Sequence, residues 1–510
     1  MRQTPAKKFY KNSDSLIYDL KRKPASYWLK RGEKNALKLF HSMATRVPAY
    51  KDFLKKNRLS PDSIKGMADF KRVPVTDKHN YLLSYELKDL CWDGSFSDRN
   101  WMISSTSGST GEPFYFPRTS SQDDQFTLTA EACLKDFFKV HKKTTLFIDC
   151  FALGVWIGGI FMYQAIRKLV DAKKYPISLI TPGADKAEAI KAIENLGSQF
   201  DQIIIGGYGP LVKDLIDEGV ARGLDFKKRN IKYFFAAEAF TENFRDYIAK
   251  HGGSSNIYTD LINHYGTADL GTMANETPVS ILVRRMSLEN QKLFRELFKR
   301  ASHIPTLAQY IPELFFFEEV AGRLLCSGMG GFPLVRYDLK DRGGILTMED
   351  MEKKFEAHHL DLPKEIKNHK LDGLQWNLPF VYLYERADFV VGIYSVNIYP
   401  QTIRKALEDK KNQNYITGKF HMSADFDKNQ NQFFKIDIEL KPGKKLSLSL
   451  KKSVLFSIIS CLEKENSEWR DFYADVKIRQ KIIPKLKFYS YQDSRYFNSK
   501  IKQRWVKNHG

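Results

Sequence analysis

Apolar residues between positions 145 and 270 fall into short runs that are separated by Gly or Pro turns and by stretches of helical periodicity. The runs occupy 145–148, 177–180 and 202–205, and a helical pattern follows each of them. Strands that are apolar along their whole length are buried on both faces, and their alternation with helices is typical of a parallel sheet. The pattern therefore predicts an α/β fold with large mixed or parallel sheets flanked by helices.

The two ends of the chain have different patterns. Residues 25–90 are rich in helical periodicity, and the stretch 35–43 keeps its apolar residues on one helix face until Pro48 interrupts it. After Arg386, short strands such as 433–440 and a helix over about 453–464 predict a small α+β domain. We therefore predict an N-terminal domain over 1–387 and a C-terminal domain over 388–510.

Composition fits a large globular protein in a reducing compartment. The chain has 510 residues, 43% of them apolar, which allows two or more domains. Its cysteines, at positions 91, 133, 150, 326 and 461, form neither a CxxC pair nor a cluster with histidines, which argues against disulfides and structural zinc. The longest apolar run, 150–163, is interrupted by glycines and is too short to span a bilayer. We expect a cytoplasmic protein without a signal peptide or a membrane span.

The charge balance favours anionic partners. The formal net charge is +21, from 81 Lys and Arg against 60 Asp and Glu. Such an excess suits nucleotides, coenzyme A, nucleic acid or an acidic membrane. The lysines are spread along the chain and no nucleic-acid-binding module is recognisable, so we expect no specific nucleic acid partner. We interpret most of the charge as a solvated, Lys-rich surface.

A loop of hydroxyls and glycines at 106–113, with the sequence TSGSTGEP, is the first candidate for chemistry. Its glycines can adopt positive φ and turn backbone N–H groups inward, while the hydroxyls add further donors toward phosphate oxygens. The loop is not a Walker A motif, because the position five residues after Gly108 is Pro113. We predict a nucleotide phosphate site whose residues are Thr106, Ser107, Gly108, Ser109, Thr110 and Gly111.

A second glycine cluster, at 205–209, invites a dinucleotide-binding interpretation. The third glycine of the GxGxxG fingerprint would fall on Val212, so we reject it.

Four further segments follow the loop in order: FAAEAF at 235–240, HYGTADLG at 264–271, FPLVRYDLKD at 332–341, and RAD at 386–388 followed by YSVNIYP at 394–400. With the entry segments VPAY at 47–50 and VPVTDK at 73–78, they resemble adenylate-forming ligases of the phenylacetate-CoA ligase and capsule-biosynthesis branch. The resemblance spans about residues 35–505. It implies a large adenylation domain followed by a small α+β lid domain.

The resemblance also implies roles for individual residues. Carboxylates suit vicinal hydroxyls because two oxygens can accept two hydrogen bonds, and Asp341 is the residue implied to hold the ribose. The other implied contacts are Ala237 and Glu238 against adenine, Tyr265 stacked on adenine within its motif with Gly266 and Thr267, Arg386 on the ribose, and Asp388 as the hinge before the lid.

Two implied catalytic residues depart from the family pattern. Asp269 stands where the family usually has a Glu that helps to hold Mg²⁺, and it is one methylene shorter. The lid lysine that reaches the α-phosphate matches Lys500 best, within SKIKQR at 499–504, where Ser replaces the usual glycine. Lys502 is the alternative.

The implied reaction is ATP-dependent activation of a small carboxylic acid as acyl-AMP, with release of pyrophosphate, followed by acyl transfer to a thiol or amine. ATP and Mg²⁺ are implied, and coenzyme A is the leading acceptor. An amino sugar, another amine or a carrier protein in polysaccharide biosynthesis is the enzymatic alternative. A non-catalytic homologue that binds a nucleotide or polyanion is the alternative of a different class.

The last candidates are residues that could form the acid pocket or neutralise the phosphate charge. Trp156, Phe161 and Tyr208 lie where the family's acyl pocket forms, with aromatic core packing as the alternative. Because the loop ends in Glu112 rather than a basic residue, Arg118 or lid lysines are candidates to meet phosphate charge. We interpret His264 as structural.

Overall fold

A computed structural model describes residues 10–98, 100–106, 114–154, 157–299, 301, 304–386, 390–493 and 497. The chain divides into two compact units. The N-terminal unit comprises 1–104 and 115–384, and the C-terminal unit comprises 105–114 and 385–510. The predicted boundary residue Asp388 lies outside the described residues.

Within the described residues, the strands are β1 (Met102–Thr106), β2 (Phe114–Arg118), β3 (Thr145–Asp149), β4 (Ile177–Ile180), β5 (Gln202–Tyr208), β6 (Ile231–Ala236), β7 (Leu261–Thr267), β8 (Gly271–Asn275), β9 (Thr306–Tyr310), β10 (Phe315–Val320), β11 (Arg323–Met329), β12 (Pro333–Leu346), β13 (Phe380–Arg386), β14 (Val391–Ile393), β15 (Val396–Ile398), β16 (Ile416–Phe426), β17 (Gln432–Leu440) and β18 (Lys485–Tyr489).

The α-helices of the same residues are α1 (Ser13–Arg22), α2 (Ala25–Arg46), α3 (Pro48–Lys56), α4 (Met67–Phe70), α5 (Ser120–Asp136), α6 (Ile157–Asp171), α7 (Lys186–Leu196), α8 (Gly209–Ala221), α9 (Glu242–His251), α10 (Pro278–Glu289), α11 (Gln291–Leu297), α12 (Met348–Glu356), α13 (Leu362–Asn368), α14 (Pro400–Leu407), α15 (Leu448–Glu465), α16 (Ser467–Ala474) and α17 (Val476–Ile482).

The N-terminal unit is built on an 11-stranded sheet in the order β10-β11-β12-β13-β9-β8-β7-β6-β5-β3-β4. The run from β4 to β7 is parallel, and β7 pairs with β8 in the antiparallel sense. Helices connect the parallel strands, as the alternation of apolar runs and helical periodicity predicts. The predicted α/β class is confirmed, and each of the three predicted strands forms.

Helices pack on the apolar strands to form the main core. Phe147, Ile204, Phe234 and Ile262 come from neighbouring parallel strands and share a buried cluster with side chains of α5 and α6. These positions are apolar because the parallel strands are enclosed by helices and keep no solvated face. The core fixes the carboxyl ends of β5, β6 and β7 relative to one another.

The glycines of the 205–209 cluster serve close packing. A Cβ atom added to Gly206 would lie 2.9 Å from the Phe147 ring, and one added to Gly207 would lie 2.7 Å from the Val212 side chain. A side chain at either position would force its neighbours to move. Packing therefore accounts for this cluster without a dinucleotide.

The C-terminal unit is α+β, as predicted. Its sheet has the order β16-β17-β18, with an antiparallel pair followed by a parallel one, and α14 packs against α15. A second, short hairpin joins β14 to β15 through Tyr394 and Ser395, whose φ values are 50° and 65°. Two successive left-handed residues form the tight turn that matches the twist of a two-residue hairpin.

In the part of the chain that the structure describes, no helix combines the length and the apolar character needed to cross a bilayer.

Candidate functional site

The site predicted from the sequence begins at the carboxyl ends of two neighbouring parallel strands. β6 and β7 pair with Phe235 opposite Asn263. Just beyond β6, Ala237 has a φ of 78°, a conformation that non-glycine residues rarely adopt. The Asn263 side-chain amide donates to the Glu238 carbonyl at 3.0 Å and holds the turn against β7. Ligands bind preferentially beyond the carboxyl ends of parallel strands.

Tyr265 and Asp341 meet at this edge although they belong to different strands. The Tyr265 hydroxyl donates to Asp341 Oδ2 at 2.6 Å, and both side chains are buried. Tyr265, Gly266 and Thr267 are the last residues of β7, and Asp341 lies in β12. Two residues that the resemblance places on opposite parts of an adenosine are therefore in direct contact.

Asp338, the other carboxylate of the 332–341 segment, is engaged in ion pairs and hydrogen bonds with other protein residues. Its Oδ2 accepts from Arg323 at 2.8 Å and from Lys340 Nζ at 3.1 Å, while Oδ1 accepts the Lys340 backbone N–H at 2.9 Å. Lys340 Nζ also reaches Asp77 at 2.7 Å. Asp338 thus belongs to an internal ion network, whereas Asp341 faces Tyr265.

Asp269 lies in the turn between β7 and β8 and is half-buried. Its Oδ1 accepts from the Tyr337 hydroxyl at 3.0 Å. The turn is closely packed, because a Cβ atom added to Gly330 would lie 2.3 Å from Leu270 Cα. Tyr337 lies inside the 332–341 segment but was not predicted as a site residue, because nothing in the sequence between Arg336 and Asp338 indicates that its hydroxyl reaches Asp269.

A metal ion at this site would have one protein carboxylate as a ligand. Among the described residues, no group of three or more His, Cys, Asp or Glu side chains could hold a metal ion by itself. Mg²⁺ in phosphate-transfer sites is commonly held by one or two carboxylates together with substrate phosphates and water. The half-buried carboxylate of Asp269 fits that arrangement.

A buried network of ion pairs supports the turn after β6. Glu276, directly after β8, accepts hydrogen bonds from Arg245 at 2.7 Å, from Arg284 at 2.5 Å and from the Asn263 backbone N–H at 3.0 Å. Glu242 completes the network through a 2.9 Å bond from Arg245. Since Asn263 in turn holds Glu238, the network fixes the turn after β6.

His264 is enclosed next to this network. Burial lowers the pKa of His264 to about 4, so the imidazole is neutral near pH 7. Its Nδ1 is hydrogen-bonded to the Asn275 side chain, and its ring lies 3.8 Å from the Phe234 ring centroid. These contacts support the interpretation of His264 as structural.

The two described aromatic candidates for the acid pocket are both buried. The Phe161 ring stacks on Phe126 with centroids 4.0 Å apart, and Tyr208 ends β5. Phe161 lines a cavity together with Leu270 and Gly330. Both rings are packed in the core, which agrees with the alternative interpretation of these aromatic residues as core residues.

Arg118 is also internal. Its guanidinium donates to Ser104 at 2.7 Å and to Asp123 at 3.3 Å, and it lies 5.0 Å above the Phe161 ring. The side chain is almost completely buried. Arg118 therefore serves as an interior anchor in this structure, which does not favour its suggested role in meeting phosphate charge.

Several predicted site residues lie outside the described residues. They are Ser107, Gly108, Ser109, Thr110, Gly111, Trp156, Asp388, Lys500 and Lys502. Thr106 and Arg386 are described as the last residues of β1 and β13, without their side chains.

No protein-family model matches this sequence, and no curated protein matches it either. Solved structures do resemble the fold. A 2-hydroxyisobutyryl-CoA ligase in complex with 2-HIB-AMP and CoA in the thioesterification state superposes with a TM-score of 0.64 at 13% identity, over 96% of this chain and 91% of that chain. The same ligase in its postadenylation state gives a TM-score of 0.54 at 14% identity, over 96% and 92%. The chain therefore has an adenylation fold.

Proposed function

We propose that this protein is an adenylate-forming ligase, which activates a small carboxylic acid with ATP as acyl-AMP, releases pyrophosphate, and transfers the acyl group to an acceptor. The observation that carries the proposal is the contact between Tyr265 and Asp341. It brings together, beyond the carboxyl ends of the parallel strands, the two side chains that we assign to adenine and to the ribose. The shared fold with a ligase that was solved with 2-HIB-AMP supports it.

Activation is needed because a carboxylate has no good leaving group. Attack of a carboxylate oxygen on the α-phosphorus of ATP forms the acyl–phosphate bond and breaks the bond to pyrophosphate. The acyl group then carries AMP as a leaving group. Catalysis of such a step consists mainly of positioning and charge stabilisation.

Each proposed residue has a task in that positioning. Asp341 accepts from the ribose hydroxyls and Arg386 contacts the same ribose, while the Tyr265 ring packs on adenine. The turn at Ala237 and Glu238 borders the base. The phosphate loop, from Thr106 to Gly111, donates to the phosphates. Lys500 stabilises charge between the carboxylate and the α-phosphate.

Asp269 is the proposed carboxylate for Mg²⁺, with Tyr337 orienting one of its oxygens. When bound, the ion supplies positive charge to the phosphates of ATP.

The second half-reaction is proposed to use the lid. In this account Asp388 is the hinge between the domain over 1–387 and the lid over 388–510, and rotation about it withdraws Lys500. The leading acceptor is coenzyme A, because the ligase that shares the fold was solved with CoA. Attack by the acceptor thiol on the acyl carbon of acyl-AMP forms the thioester and releases AMP. We also propose that the protein belongs to the phenylacetate-CoA ligase and capsule-biosynthesis branch.

The test is product analysis with a panel of aryl, hydroxy and short aliphatic acids, ATP, Mg²⁺ and coenzyme A. We expect AMP and pyrophosphate to form only with an acid present, together with an acyl-CoA. An acid that yields AMP and pyrophosphate but an amide with an added amine would assign the acceptor to the amine class. ADP as the nucleotide product, with any acid, would contradict adenylate formation.

A further inference from the structure

A surface of the C-terminal unit combines unpaired lysines with protruding apolar side chains. The segment 441–456, KPGKKLSLSLKKSVLF, follows β17 and enters α15, and it contains five lysines and no acidic residue. Its exposed lysines and its exposed Leu and Phe residues define the basic apolar surface: Lys441, Lys444, Lys445, Leu446, Leu448, Lys451, Lys452 and Phe456. Among the described residues, none of these lysines has an ion pair with an acidic side chain.

Helix α15 is apolar on two sides. One side, with Leu450, Val454 and Ile458, is buried in the unit. On the outer side, Leu448 is 80% exposed and Phe456 is 67% exposed. Transfer of such large, exposed apolar side chains out of water lowers the free energy. Burial within the unit therefore explains only one of the two apolar sides.

The neighbouring loop extends the positive charge. The Lys441 backbone N–H donates to the Tyr415 carbonyl at 2.8 Å, and Lys444 Nζ lies 5.5 Å above the Tyr415 ring. Ser453 of α15 donates to Asn412 at 2.8 Å, which holds the exposed Lys410 and Lys411 beside the helix.

The loop after α14 has two acidic residues: Glu408 is exposed and lies 3.9 Å from Arg404 of α14, and Asp409 is hydrogen-bonded toward α15. Asp409 accepts from the Ser457 hydroxyl at 2.8 Å and from the Lys411 backbone N–H at 3.1 Å. Its carboxylate is therefore hydrogen-bonded to the helix and the loop and forms no ion pair with the lysines of the surface among the described residues.

We propose that the basic apolar surface docks this protein onto an anionic lipid membrane as a peripheral protein. Lysines are attracted to anionic headgroups, and Leu or Phe side chains of an adjacent helix enter the interfacial region without needing a complementary pocket. The net charge of +21 adds a long-range attraction of the same sign.

The test uses the full-length protein and sedimentation with vesicles. We expect binding to phosphatidylcholine vesicles that contain roughly 30% phosphatidylglycerol, little binding to pure phosphatidylcholine, and weakening by salt. Lys444→Glu/Lys445→Glu should lower partitioning at least about tenfold. Leu448→Ser/Phe456→Ser should lower it by a similar factor while retaining the salt dependence.

The matched control is Lys34→Glu/Lys38→Glu, which makes the same charge change at exposed positions of α2. It should bind nearly as wild type does. Thermal unfolding of each variant checks that the fold is kept.

Three results would overturn the proposal. The first is wild-type protein that does not sediment with anionic vesicles. The second is an equal loss in the Lys34→Glu/Lys38→Glu control, which would reduce the effect to net charge. The third is binding to an acidic carrier protein without binding to anionic vesicles, which would assign the surface to a protein partner. None of these results depends on whether the protein forms acyl-AMP.

Discussion

The Tyr265 hydroxyl donates a 2.6 Å hydrogen bond to the carboxylate of Asp341, which lies 76 residues further along the chain. The contact joins the end of β7 to β12, next to the turn that carries Asp269. A carboxylate oriented by one hydroxyl is prepared to accept others. The proposed function rests on this geometry, and several of its consequences can be measured.

Replacement of Asp341 by Ala should weaken ATP binding, because both ribose hydroxyls lose a charged acceptor. Each such hydrogen bond contributes about 1.5–3 kcal/mol, so the affinity should fall by at least about tenfold. Tyr265→Phe is the companion variant: it keeps the ring proposed to pack on adenine and removes only the hydroxyl that orients Asp341, so it should weaken ATP binding by a smaller factor. Calorimetry with a folded Asp341→Ala protein that binds ATP normally would remove the ribose role.

Replacement of Lys500 by Ala should abolish acyl-AMP formation and leave transfer from supplied acyl-AMP largely intact, because the lysine acts in one lid orientation only. Loss of a charged contact to a transition state costs about 10² to 10³ in rate. Lys502→Ala is the control, measured by the same paired assays. If Lys502→Ala is the crippled variant instead, the assignment is wrong by two positions.

Replacement of Glu276 by Gln should destabilise the protein strongly, because the two buried charges of Arg245 and Arg284 would then share Glu242 as their countercharge. Removal of one partner from a buried ion pair costs about 3–5 kcal/mol. Asp246→Asn, which breaks the partly exposed pair with Arg285 at 2.8 Å, should cost at most about 1 kcal/mol. Urea unfolding measures both, and equal effects would contradict the role of the network.

Asp149 should make stability depend on pH. Burial raises the pKa of Asp149 from its usual value to about 7, and the described residues offer its Oδ2 no hydrogen-bond partner. The folded state thus holds this proton more tightly than the unfolded chain does. The contribution of Asp149 to stability is highest below pH about 4 and is lost as the pH rises to about 7.

Asp149→Asn should remove that loss, so the melting temperature of the variant should rise above that of wild type as the pH increases from 4 to 7, and the gap should stay constant beyond. Asp201→Asn is the control. A backbone hydrogen bond from Thr144 lowers the pKa of Asp201, so above pH 5 its melting curve should run parallel to that of wild type. Parallel curves for Asp149→Asn as well would contradict an ionised, unpaired carboxyl group in the core.

Elements that depend on local pattern could be predicted from the sequence. The runs at 145–148, 177–180 and 202–205 became β3, β4 and β5 because strands enclosed by helices are apolar along their length. The hairpin turn at Tyr394 and Ser395 was not foreseeable as such, because two left-handed residues usually call for Asn or Gly.

Contacts between distant segments could not be predicted in the same way. The resemblance placed Tyr265 and Asp341 in one site, but no local pattern indicates that their side chains touch. The buried network around Glu276 and the unpaired oxygen of Asp149 also arise only from tertiary packing, since an isolated acidic residue in the sequence is usually solvated.

Exchange of labelled pyrophosphate into ATP, without any acceptor, tests the central claim most directly, because the label returns to ATP only if acyl-AMP forms reversibly. The account predicts exchange that requires one acid from the panel and Mg²⁺, and that falls strongly in the Asp341→Ala variant at limiting ATP. Wild-type protein that binds ATP in calorimetry but shows no exchange with any acid would contradict the account, and would make the protein a nucleotide-binding member of the fold without ligase activity.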